Sequence, residues 1–158
     1  MNIIVMGVSG SGKSTIGQQL AAHLGYSFYD ADDFHPRSNV DKMATGQPLN
    51  DEDRMPWLEA LASRLASWEN SVLACSALKE SYRQTLQSKN KKIQWVYLEG
   101  SKETISERMD KRKGHFMKSA MLDSQFDDLE VPSYGHHIPI ETAPDQMVST
   151  IVNKLSKI

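Results

Sequence analysis

At 158 residues the chain has the length of about one domain, and folding at that size buries roughly 68–70% of the unfolded surface, enough for a core without staples. With 39% hydrophobic residues, 24% charged residues, a net charge of −2 and one cysteine, the composition excludes a disulfide-stapled secreted scaffold and argues against nucleic acid as the main partner. No apolar run approaches the ~20 residues that span a bilayer, and the N-terminus lacks a basic and then apolar leader. The expectation is one cytoplasmic unit over residues 1–158, free of membrane.

The pattern of apolar residues gives the elements in chain order. Residues 3–6 are a short β-branched run closed by Gly7 and read as a buried strand. Residues 13–24 carry Ile16, Leu20 and Leu24 at helical spacing, with Gly25 as the stop. A second strand is expected at 27–30, running into Asp30, Asp32 and Asp33, and a helical turn at 41–44 before Gly46. Pro56 suits the first turn of a long helix with Leu58, Leu61, Leu65 and Trp68 on one face. Then follow a strand at 71–75, a helix at 80–89 and a strand at 93–98. Ser101 is placed to cap a helix reaching about Arg112, and 117–129 repeats the helical spacing with Met121, Leu122 and Phe126. A weaker strand at 137–140 precedes a last helix with Met147, Val148, Ile151, Val152 and Leu155, while His136 is read as loop. Short apolar strands alternating with amphipathic helices imply an α/β fold, a parallel sheet covered on both faces.

The run Gly7-Val8-Ser9-Gly10-Ser11-Gly12-Lys13-Ser14, followed by Thr15, fits the phosphate-binding loop G-x-x-x-x-G-K-[ST], and it lies between a predicted strand and a predicted helix, as that loop requires. Its glycines permit a backbone whose N–H groups converge on phosphate oxygens, and the helix N-terminus adds partial positive charge. Lys13 is placed to bridge the β- and γ-phosphates of ATP, and the Ser14 hydroxyl to ligate Mg²⁺. Asp30 and Asp32 fall where the second strand ends, the side on which open α/β sheets bind ligands. A carboxylate there accepts a hydrogen bond from an attacking hydroxyl or holds Mg²⁺ through water. Arg108, Lys111, Arg112, Lys113, His115 and Lys118 form a basic run around Gly114 that suits a lid over the triphosphate, at approximately 112–130. Cys75, alone at a strand end, reads as a packing residue and not a nucleophile.

The order of these motifs resembles the gluconate kinase (gluconokinase) family, among the small-molecule kinases related to shikimate and nucleoside monophosphate kinases. Besides the phosphate loop, the resemblance is carried by Asp30-Ala31-Asp32-Asp33-Phe34-His35-Pro36, Pro48-Leu49-Asn50-Asp51-Glu52-Asp53-Arg54 with Pro56-Trp57-Leu58, Cys75-Ser76-Ala77-Leu78-Lys79, Tyr82-Arg83, Arg112-Lys113-Gly114-His115-Phe116 and Ser124-Gln125-Phe126. It implies transfer of the ATP γ-phosphoryl group to the 6-hydroxyl of D-gluconate, a three-layer α/β/α fold with five parallel strands in the order 2-3-1-4-5, a helical lid, and a homodimer. It also implies that Lys13, Asp32 and Arg112 are catalytic, with Arg108 on the nucleotide and Ser14 and Asp30 on the metal. His35, Arg54, Ser76, Lys79, Arg83 and His115, with Asp32, would then face the substrate.

The chemistry of the acceptor agrees, since Arg54 and Arg83 offer planar forks that match a carboxylate. Arg54 is equally placed to pair with Asp51 or Asp53, and Arg83 to lie on a solvated helix face. Glu141-Thr142-Ala143, after the last strand, is a candidate for bracketing adenine. Two other functions fit the phosphate loop: a shikimate-type kinase, which leaves His35-Pro36 and the Cys75–Lys79 stretch without a purpose, and a non-catalytic ATP-sensing module, which leaves Asp32 and the basic run unused.

Overall fold

The computed structural model describes residues 1–110 and 119–157. Five strands, β1 (Asn2–Met6), β2 (Ser27–Asp30), β3 (Ser71–Ala74), β4 (Ile93–Glu99) and β5 (His136–Pro139), form one sheet in the order β2-β3-β1-β4-β5. Every neighbouring pair runs parallel. The α-helices among the described residues are α1 (Lys13–Leu24), α2 (Arg37–Ala44), α3 (Asp51–Ser67), α4 (Glu80–Leu86), α5 (Lys102–Asp110), α6 (Ser119–Asp128) and α7 (Pro144–Leu155), with one turn of 3-10 helix at Ala31–Phe34.

Strand side chains alternate between two cores, because successive residues of a strand point to opposite faces. Ile3 and Val5 of β1 join Val72, Val96 and Leu98 against α1, α5 and α7. Ile4 and Met6 join Leu73, Trp95 and Tyr97 against Leu58, Leu61 and Leu65 of α3 and Leu86 of α4. This is the three-layer α/β/α architecture with the expected strand order. His136, read as loop, is instead the first residue of β5.

Three helix boundaries differ from expectation by three residues or more. α2 begins at Arg37, before residue 41, and α4 stops at Leu86. α3 begins at Asp51, so Pro56 lies inside the helix. The helix starts early because Asn50 and Asp53 form a reciprocal cap: the Asp53 N–H donates to the Asn50 side chain and the Asn50 N–H to the Asp53 carboxylate, both at 2.9 Å. Pro56 deprives the Glu52 carbonyl of its helical donor, but Glu52 and Pro56 are both exposed, so water can replace it. Removing the cap with Asn50→Ala is expected to cost about 1 kcal/mol, a fall in Tm of roughly 2–4 °C for a chain of this size, read by thermal melting.

The lid expected at 112–130 is only partly described. Its C-terminal portion is α6, whereas Arg112 and His115 lie outside the described residues. No helix among the described residues is long and apolar enough to cross a membrane.

Candidate active site

The C-terminal ends of three adjacent strands converge on a cleft of about 230 Å³ lined by Ser9, Gly10, Gly12, Lys13, Ser14, Thr15, Asp30, Asp32, Ala74, Cys75 and Ser76. β1 delivers the phosphate loop, β2 the two aspartates, and β3 the Cys75–Ser76 turn. Gly10 and Gly12 have φ of +82° and +99°, in the left-handed region that favours glycine. Gly12 caps α1 with no side chain bonded to the first turn, so the N–H groups there remain available to an anion.

The Lys13 ammonium is drawn back onto the Val8 carbonyl at 3.0 Å. Desolvation lowers its pKa from the ordinary lysine value, while the charges of Asp32 and Asp30 pull the other way. A cation so poorly solvated gains strongly from phosphate oxygens. The Val8 side chain is buried in the core, and its carbonyl also accepts the Ser11 N–H at 3.2 Å.

The Ser14 hydroxyl donates to Asp30 at 3.1 Å. A hydroxyl beside carboxylates is an all-oxygen donor set of the kind Mg²⁺ takes, with the remaining positions left to water and phosphate. Asp30 also accepts the Asp32 N–H at 3.0 Å, which fixes the turn carrying Asp32. The Asp32 side chain is 84% exposed, at the mouth of the cleft. Loss of solvent on the cleft side raises its pKa most, and the Asp30 charge adds to that, against His35 and Lys13.

His35 backs Asp32, with Nε2 at 3.8 Å from the carboxylate. Its tautomer follows from its neighbours. Asn39 Nδ2 donates to the Asp53 carbonyl at 2.8 Å and lies 3.2 Å from His35 Nδ1, so Nδ1 is the acceptor and the proton of the neutral ring sits on Nε2, facing Asp32. The ring stacks on Trp57 at 4.2 Å, and the Trp57 indole N–H donates to the Ala31 carbonyl at 2.7 Å. Burial lowers the His35 pKa, keeping the ring neutral.

A second, more open cleft of about 550 Å³ is lined by Asn50, Asp51, Glu52, Arg54 and Lys79. Arg54 and Lys79 each lie 3.7 Å from the Asp51 carboxylate. The Tyr82 hydroxyl donates to Asp51 at 2.6 Å and accepts from Arg54 at 3.1 Å. That hydrogen bond is the largest cause holding the Asp51 carboxyl below its ordinary pKa, with the two cations contributing. Arg54 therefore pairs with Asp51, one of the two partners left open by the sequence, and still borders the cleft.

Arg83 departs from both of its expectations. It is 1% exposed, lines neither cleft, and spends its donors inside the protein. Arg108 donates to the Ile140 carbonyl just beyond β5, which places it beside residues 141–143. Cys75 is fully buried and burial pushes its thiol up to about 12, in keeping with a packing residue.

Asp51, Tyr82 and Gln125 stand in motifs quoted for the resemblance, but their roles come from the structure. Gln125 of α6 accepts the Ser9 N–H at 2.7 Å and donates to the Ser9 hydroxyl at 2.9 Å, bracing the phosphate loop from the far side of the chain. Nothing in its local pattern announces a partner 116 residues away.

A phosphate loop with a desolvated lysine, a hydroxyl–carboxylate pair and an exposed aspartate at one sheet end defines a P-loop phosphotransferase. Residues 9–156 match the shikimate kinase family. A thermoresistant gluconokinase of Escherichia coli K12 is 45% identical, with 94% of this chain and 87% of that one aligned, and a probable gluconokinase of Xenopus tropicalis is 45% identical over 98% and 91%. The crystal structure of a gluconokinase from Sinorhizobium meliloti superposes with a TM-score of 0.91 at 42% identity, covering 99% of this chain and 91% of that one. The chain belongs to the gluconokinase family.

Proposed function

We propose that this protein transfers the γ-phosphoryl group of ATP to the 6-hydroxyl of D-gluconate, giving 6-phospho-D-gluconate and ADP. The observation that carries the reading is the placement of the Arg54–Lys79 cleft in a chain that also presents Asp32 and the phosphate loop. Those two cations already share one carboxylate, that of Asp51. A sugar acid offers a second carboxylate of the same kind, with its terminal hydroxyl free to reach Asp32.

In-line phosphoryl transfer needs positioning and charge stabilisation more than covalent chemistry. The N–H groups of the phosphate loop and Lys13 hold the phosphates. Ser14 and Asp30 are the residues that would hold Mg²⁺, which when bound neutralises charge on the phosphate oxygens. Asp32 orients the 6-hydroxyl and takes its proton as the oxygen–phosphorus bond forms. The neutral His35, with Nε2–H toward Asp32, keeps that carboxylate aimed, and Ser76 borders the transfer path. Arg108 and residues 141–143 bracket the adenine. Arg112 and His115 belong to the reading through their motif alone, as transition-state and substrate contacts of the lid.

The reading extends to a cytoplasmic enzyme made as one kinase unit and paired as a homodimer. Val40 and Met43, exposed at i and i+3 on one face of α2, favour such pairing. Solved shikimate kinases at 21–22% identity share the fold, which alone does not assign a substrate.

The test is coupled ADP release with Mg·ATP against D-gluconate, shikimate, AMP and no acceptor. Gluconate-dependent turnover with a product phosphorylated at O6 is expected. Turnover with shikimate alone would replace the substrate assignment, and ATP binding without acceptor-dependent turnover would favour a sensing module.

A further inference from the structure

The molecule buries a full guanidinium that the chemistry above leaves unused. Arg83, on α4, donates through Nη1 to the carbonyls of Ala77 at 2.7 Å and Leu78 at 3.3 Å. Its Nη2 donates to the Glu130 carbonyl at 2.7 Å and pairs with the Glu80 carboxylate at 3.0 Å, and its Nε serves the Tyr134 hydroxyl at 2.9 Å and Glu80 at 3.1 Å. Each of the three guanidinium nitrogens thus has a partner inside the protein, the condition under which a buried arginine is tolerated.

Its targets are not arbitrary. Ala77 is the one non-glycine residue with positive φ, +46°, among the described residues, and its methyl group is packed into the core, so the chain accepts strain there. The kink separates two residues that face different clefts: Ser76 borders the phosphate cleft, and Lys79 the cleft with Arg54. The Ser76 carbonyl also accepts the Gly7 N–H at 3.3 Å, so one end of this loop is pinned to the phosphate loop. The other end is pinned by Glu130, just beyond α6, whose N–H donates to the Leu78 carbonyl at 2.8 Å and whose carboxylate accepts the Glu80 N–H at 2.7 Å.

We propose that Arg83 is a positioning residue for the sugar acid: it holds the Ala77–Leu78 kink and so sets where Lys79 stands relative to Ser76, without touching substrate. A lysine in its place keeps the charge beside Glu80 but presents three donors from a single nitrogen, which cannot reach three carbonyls spread around a planar fork. This inference rests on the gluconokinase reading; if the parent protein fails to turn over gluconate, that reading fails, whereas normal parent turnover with an unmoved variant defeats this inference alone.

The experiment is steady-state kinetics of Arg83→Lys, with melting curves alongside. A rise of about tenfold or more in KM for gluconate is expected, since misplacement near 1 Å can cost up to about 10²-fold, while KM for Mg·ATP stays within about twofold. Adding Ala77→Gly, which removes the left-handed penalty, is expected to recover part of the gluconate KM. Unchanged KM for gluconate in a folded Arg83→Lys protein overturns the proposal, as does an equal rise for both substrates or no recovery by Ala77→Gly. Should Arg83→Lys fail to fold, Tyr134→Phe decides: it removes one anchor of Nε and of Glu80, and a smaller rise confined to gluconate is expected, with no change counting against the proposal.

Discussion

Lys13→Met is expected to lower kcat/KM by about 10²- to 10³-fold or more while leaving the fold intact. The two effects separate because of where the ammonium sits. Desolvation holds its pKa below the ordinary lysine value, so in the absence of phosphate the charged form is disfavoured by the fold. The sign follows from linkage. A lysine with a lowered folded-state pKa binds fewer protons folded than unfolded in the window between the two values, so stability rises with pH across that window and the charge is a cost at neutral pH. Deleting the ammonium sacrifices the bond to Val8 and removes that cost, so Tm should stay level or rise. Activity responds oppositely, because a desolvated cation is worth most when phosphoryl charge arrives in the same low-dielectric pocket. Kinetics and a melting curve on one preparation check both halves. Retention of kcat/KM within about tenfold of the parent would remove Lys13 from the mechanism.

Asp32→Asn should reduce kcat by about 10²- to 10⁴-fold, the range for losing a positioned proton acceptor. Its carboxyl is raised first by lost solvation and then by the charge of Asp30, so kcat/KM of the parent is expected to climb through a midpoint above the usual carboxylate range as pH increases. The residual activity of Asp32→Asn should lack that acid limb. The stability sign is again opposite to the activity sign. A carboxyl with a raised folded-state pKa binds more protons folded than unfolded, so stability falls as pH rises from the unfolded value through the folded one, by little for a side chain that is 84% exposed. The asparagine variant should therefore melt no lower than the parent. An Asp32→Asn protein with parental kcat and an unchanged pH profile would show that the hydroxyl proton leaves by another route. Because the Asp30 charge is one cause of the raised Asp32 pKa, Asp30→Asn is expected to shift the midpoint of that limb downward.

Features settled by neighbours along the chain are legible in the sequence alone. The phosphate loop is contiguous, and the left-handed backbone at Gly10 and Gly12 follows from glycine itself. Strand alternation and helix spacing likewise depend on local geometry, which is why the α/β class emerged from patterning, and the placement of Asp30 and Asp32 at a strand end came with it. The α3 boundary moved because a cap outweighed a propensity: the reciprocal Asn50–Asp53 bonds start the helix five residues before Pro56.

The remaining features depend on groups brought together by folding. Asp51 lies between Arg54 and Lys79 because α3 and the start of α4 meet there, and Gln125 reaches Ser9 only because α6 returns over the phosphate loop. Arg83 illustrates the limit most clearly. A guanidinium on a short helix reads alike whether it faces solvent, substrate or the interior. Its place in the interior follows from the carbonyls of Ala77, Leu78 and Glu130, which come together around it only in the folded chain, where burial removes water as a competitor for its donors.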